Sequence, residues 1–189
     1  MSVLTLPNDD AVVEFCRSNG HTNNGLAYIL DGGDTLWIKH GPYVTPAEAR
    51  TQDHACKRIN RMDGGVARIP EVYRFFVREG VTYIIMEYIE GETATRRCMR
   101  SADSRSVCNK LSDALNQLLN ITPPTTLPNL GPIGGGLVHH FFFADNVSAV
   151  EYDSVRTLEQ QINSVRFNKH IFCAPIYSYA FVDPPERTL

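Results

Sequence analysis

Apolar positions fall in short runs through the first half of the chain and in helical stripes through the second. Residues 26–30 (LAYIL) and 35–39 (TLWIK) flank Asp31-Gly-Gly-Asp34. Two apolar runs around a Gly-Gly pair predict a hairpin. A second pair of strands is expected near Glu71–Val77 and Val81–Met86, with Glu79-Gly80 as the turn. Between the hairpins lies Thr45-Pro46-Ala47-Glu48. Threonine at the N-cap, proline at N1 and glutamate at N3 form a helix start. That helix is expected to run to about Arg61, where Asp63-Gly64-Gly65 ends it. Glu48, Ala55 and Ile59 share one face of it at about 100° per residue. A short helix at Asp10–Ser18, capped by Asn8 or Asp9 and closed by Gly20, precedes the first hairpin.

The texture changes after Glu87-Tyr88-Ile89-Glu90-Gly91. Residues 92–103 are polar and basic and read as an exposed link. A helix is expected over Ser104–Asn120, with Val107, Leu111, Ala114 and Leu118 on one stripe. Residues 123–136 (PPTTLPNLGPIGGG) are a loop by composition. A further helix starts near Asp153 or Ser154 and carries Val155, Leu158 and Ile162. Strands then helices, rather than alternating βαβ units, predict an α+β fold. A doubly wound nucleotide fold is disfavoured, and no GxxxxGK[ST] loop occurs.

Totals narrow the picture. With 189 residues, 43% of them apolar, the chain supports one domain or two small lobes. A net charge of -3 argues against a general nucleic-acid binder. The basic cluster Arg96, Arg97 and Arg100 is short and reads as a solvated surface. Cys16, Cys56, Cys98, Cys108 and Cys173 are odd in number and form no CxxC pair, so a disulfide framework or zinc knuckle is not expected. The first ten residues lack the basic and apolar regions of a secretory signal, and no run approaches a membrane span, so no membrane partner and a cytoplasmic location are expected.

One residue stands out. Lys39 closes the apolar run Leu36-Trp37-Ile38, two positions after the only tryptophan. It reads either as a strand end reaching solvent or as a cation held toward a phosphate, for which a compact ammonium is a strong point charge. The stretches DTLWIKHG, VTPAEA, RIPEVYRFF and VTYIIMEYIEG, in this order, resemble the N-terminal lobe of the protein-kinase-like fold. More specifically it looks like the aminoglycoside phosphotransferase and choline-kinase-like family, in its fungal branch, over roughly residues 22–165. The later LGPIGGGLVHHFFFAD resembles that branch's loop before its catalytic segment.

The resemblance implies an antiparallel N-terminal lobe with one helix over residues 1–86, a lobe connection at 87–91 and a partial helical lobe at 92–189. It implies ATP as the nucleotide. Lys39 would contact the α- and β-phosphates and Glu48 would hold the lysine in place. Glu48 is equally explained as the capping-box partner of Thr45. The Glu87 carbonyl and the Ile89 N–H would read the adenine edge, although an ordinary strand and turn give the same pattern.

The chain departs from the family at the catalytic segment. No His-x-Asp motif with a following asparagine and metal-binding aspartate is present, and Asn168, His170 and Asp183 lack the spacing. No catalytic residue and no magnesium ligand can be named, and the chain reads as truncated before that loop. Two functions follow: an ATP-dependent small-molecule phosphotransferase by family, or a non-catalytic nucleotide-binding or protein-interaction module. The residues favour the second.

Other constellations are weaker. His139 and His140 are adjacent and would face opposite sides of a strand, unsuited to one metal. Phe141, Phe142 and Phe143 read as packing, and Gly134–Gly136 as a flexible loop rather than a phosphate nest. The apolar faces of the 104–120 helix and of the phenylalanines are expected to remain exposed, as a surface for another protein or an aggregation liability.

Overall fold

The computed structural model describes residues 4–20, 25–62, 64–100, 104–124, 130–140, 143–166 and 180–181. Helix α1 spans Asp9–Asn19. The Asn8 side chain accepts the Ala11 N–H at 2.8 Å, and Gly20 closes the helix at φ 77°. Strands β1 (Leu26–Ile29) and β2 (Thr35–Gly41) form the first hairpin. Helix α2 (Pro46–Ile59) follows, with Thr45 Oγ1 accepting the Glu48 N–H at 3.1 Å. Strands β3 (Val72–Arg78) and β4 (Val81–Glu87) form the second hairpin. Its two-residue turn has both Glu79 and Gly80 at positive φ, 52° and 76°, which matches the twist of the flanking strands.

The four strands make one antiparallel sheet in the order β1-β2-β4-β3. The α+β class expected from the element order is what the chain forms. Period-two alternation then divides the sheet between two helices. Leu36, Ile38, Tyr83 and Ile85 pack with Val12, Val13 and Cys16 of α1. On the other face Ile84 and Met86 pack with Ala49 of α2, flanked by Trp37, Val72 and Phe75. Three ion pairs moor α1 to the second hairpin: Asp9–Arg74 at 3.1 Å, Asp10–Arg78, and Arg17–Glu79 at 2.8 Å. The two acidic residues also sit in the helix's first turn, where its dipole favours them.

Two boundaries differ from expectation. Strand β2 does not stop at Lys39; it continues through His40 and Gly41, which pair with Tyr83 and Thr82. His40 is drawn inward because it joins an aromatic ladder. Its ring stacks on Tyr83 at 5.6 Å, and Tyr83 stacks on Phe76 at 5.0 Å. The inner stripe of α2 is also rotated from the one expected. Ala49, Cys56 and Ile59 are buried, whereas Ala55 is only half-buried.

Beyond Glu87 the segment expected to be an exposed link contains structure. Strand β5 (Glu92–Thr93) leads into helix α3 (Ala94–Arg100), whose Arg96 N–H is accepted by Thr93 Oγ1 at 3.2 Å. Helix α4 (Ser104–Leu119) follows close to its expected span. Ala114 of its stripe is buried, and Val107, Leu111 and Leu118 are half-covered. Helix α5 (Val155–Arg166) turns Leu158 and Ile162 partly inward but leaves Val155 exposed. Strand β6 (Ala180–Phe181) pairs with β5. Between α4 and α5, among the described residues, Leu130 bridges to Tyr152 and His139 to Val147. Phe143 is buried there and stacks on Tyr152 at 6.1 Å, as packing would require and contrary to the expectation that its apolar face stays exposed, whereas Phe141 and Phe142 lie outside the described residues. Among the described residues no helix is long and apolar enough to cross a membrane.

Candidate functional site

Lys39 lies in mid-strand, opposite Ile84 on β4. It projects from the face that carries α2, together with Trp37. The reading of Lys39 as a strand end is therefore replaced. It is a cation carried on an inner strand, one residue past the end of the β1 pairing and held in register by β4. The capping of α2 sets its partner. Thr45 fixes the start of the helix, and Glu48 comes at the third helical position, directly over β2. Half of the capping box forms, with Thr45 accepting the Glu48 N–H. The carboxylate goes to Lys39 Nζ instead of returning to the cap. The sequence thus left two uses for Glu48, and the geometry combines the backbone part of one with the side chain of the other.

The pair is about one-third exposed on each side, 35% for Lys39 and 34% for Glu48. At that exposure an ion pair contributes about 1 kcal/mol or less to folding. Stability is a poor reason for its presence, which leaves its positioned charge as the notable property. Both partners can still reach a ligand from solvent.

The helix is tied to the sheet next to this pair. Gln52 Nε2 donates to the Pro70 carbonyl at 3.0 Å and contacts Met86 Sδ at 3.3 Å. Glu87 ends β4 opposite Leu36, and Ile89 lies half-buried two residues further on. Lys39 and the Glu87 level are separated by three residues along β2, roughly 10 Å at strand rise. Trp37 occupies the same face between them, its ring 6.0 Å from that of Tyr88 in the connection.

The Glu87 side chain has a task that sequence reasoning missed. It pairs with Arg68 and accepts the Glu71 N–H at 3.3 Å, while the Glu87 N–H donates to the Glu71 carbonyl at 2.8 Å. Arg68 is 19 positions upstream with no local signal linking the two. These contacts brace the start of the 87–91 connection against the segment leading into β3.

Other groups have plainer roles. Burial pushes the Cys16 thiol up to about 11 and also raises Cys56, which the carboxylates of Glu71 and Asp53 push further. Neither is suited to nucleophilic chemistry, which needs the thiolate. The backbone of His139 is in a bridge, and the His140 N–H donates to the Asn146 carbonyl at 2.9 Å. Among the described residues no group of three or more His, Cys, Asp or Glu side chains could hold a metal. Asn168, His170 and Asp183 lie outside the described residues. No protein-family model matches the chain, and no curated protein matches it.

Proposed function

We propose that the chain binds a nucleoside triphosphate through a phosphotransferase-like lobe, with Lys39 as the phosphate contact. The observation that carries this is the pairing of Lys39, on an inner strand, with Glu48, at the third position of the helix that crosses the sheet. ATP fits these residues in kind. A fixed ammonium meets the α- and β-phosphates, and a carboxylate holds the ammonium in one orientation. The connection at 87–91 supplies main-chain groups for the base, by the Glu87 carbonyl and the Ile89 N–H. The roughly 10 Å between the two levels gives room for the sugar.

The activity proposed for these 189 residues is binding without transfer. Phosphoryl transfer rests on positioned metal ions and a residue that orients the nucleophile, and the sequence presents no His-x-Asp segment to supply them. Titration calorimetry of the full chain with ATP is the test. Binding is expected with or without magnesium and is lost in Lys39→Ala. Transfer of phosphate to any hydroxyl compound would overturn the binding-only part, and absence of ATP binding would overturn the whole. A second reading, a protein-interaction module, draws on apolar side chains left in solvent, Leu119 at 81% and Met99 at 82% exposure. Concentration-dependent self-association, lost in Leu119→Ser, would favour it.

A further inference from the structure

Helix α2 is gripped from outside as well as from the sheet. Arg50, Thr51 and His54 lie within about 100° on its outer side, at helical spacing. Thr122, Ile133 and Gly134 engage these three. His54 Nε2 is 3.2 Å from the Thr122 carbonyl. Thr51 Oγ1 accepts the Ile133 N–H at 3.0 Å and donates to the Ala47 carbonyl at 2.8 Å. The Arg50 guanidinium lies over the Phe75 ring at 5.5 Å and against Gly134. A Cβ at Gly134 would come within 2.7 Å of Arg50 Nη1 and 2.8 Å of its Cδ, and φ there is +93°. The backbone conformation favours glycine at this position, and a Cβ there would push the Arg50 side chain aside.

We infer that the glycine loop at 131–136 is a clasp that holds the first two turns of α2 and thereby fixes Glu48 at Lys39. The contact under this end of the helix is small. Ala49 is the fully buried residue there, and a methyl group resists sliding or rolling poorly. The loop contacts fall on Arg50 and Thr51, two and three residues after Glu48, and the Thr51 hydroxyl links that grip back to the Ala47 carbonyl just before it. The Phe75–Arg50–Gly134 stack runs from sheet to loop and blocks outward movement. The loop is therefore not a free surface turn. Two of its amides are already used, Ile133 on Thr51 and Gly135 on the Pro132 carbonyl at 3.0 Å. With the clasp released, Glu48 leaves Lys39 part of the time. The consequence for ligand affinity rests on the nucleotide reading above; the clasp does not.

Hydrogen exchange on the full chain, without ligand, tests it. Thr51→Val keeps the branched shape and removes the hydroxyl that accepts from Ile133 and donates to Ala47, so amides of the first two turns of α2 should exchange at least about threefold to tenfold faster, the range for one lost hydrogen bond. Gly134→Ala should act likewise, and Thr51→Ser should restore protection. Amides of β2 and β4 should not change. Reactivity of Lys39 toward an amine-acylating reagent should rise in Thr51→Val, toward the level of Glu48→Gln. Unchanged α2 exchange and Lys39 reactivity in both variants would overturn the clasp, and so would equal acceleration throughout the sheet. Faster α2 exchange in a chain that binds no ATP supports the clasp and removes only the nucleotide reading.

Discussion

The two faces of the sheet are built to different ends. The α1 face is sealed with Val12, Val13, Cys16, Leu36, Ile38, Tyr83 and Ile85. Its aromatic ladder of His40, Tyr83 and Phe76 extends that seal across three strands. The α2 face has a smaller buried set, Ala49, Ile84 and Met86. It completes its contact with polar groups: the Lys39–Glu48 pair, the Gln52 amide and the Arg50 stack on Phe75. One strand serves both faces. Leu36, Ile38 and His40 go one way, and Trp37 and Lys39 go the other. Apolar burial supplies the stability, and the residues between supply a charge pair that, at its exposure, contributes about 1 kcal/mol or less.

The largest expected effect separates neighbours. Ile38→Ala opens a cavity in the sealed face and should lower stability by about 2–5 kcal/mol. If denaturant unfolding showed the same loss for Lys39→Met, the division between the faces would fail. Next comes alkaline pH. The folded state keeps the Cys16 proton after the unfolded chain has released it, because burial raises the thiol to about 11. Stability is then fully present below the ordinary thiol range, about 8.5, and falls as pH rises toward 11, by roughly 2–3 kcal/mol in all. Cys16→Ala should flatten that slope, leaving the part due to Tyr83, which burial also raises. Thr45→Ala removes the cap of α2 and should lower stability by about 1 kcal/mol. Its exchange signature should be confined to the α2 side. The smallest change is Glu48→Gln, at or below about 1 kcal/mol in thermal unfolding. A larger loss would mean that the ion pair is structural after all.

What could be read in advance follows the range of the interactions. Both hairpins were legible because their turns are encoded within four residues, by Gly32-Gly33 and Glu79-Gly80. Helix α2 was legible because Thr45, Pro46 and Glu48 mark its start, which puts Glu48 at the third helical position. The α3 helix was hidden by its composition. ATRRCMR carries little apolar signal, and its cap is a threonine that also belongs to β5. His40 was hidden because one polar letter after a lysine reads as the end of a strand, while its burial depends on Tyr83, 43 positions away. The clasp was beyond sequence reasoning for the same reason. Thr51 and Ile133 are 82 residues apart, and nothing local in GPIGGG says which helix it meets. The ion pair needed only nine residues and one helical turn.

The register of β2 has a genetic consequence. Inserting one codon between Thr35 and Ile38 would exchange every downstream side chain between faces, driving Lys39 into the sealed core and His40 toward α2. Inserting two would restore parity and displace the lysine by one repeat along the strand. Length variants of this segment should therefore survive selection for solubility in steps of two, with odd changes lost. Even changes would keep the fold and part Lys39 from Glu48.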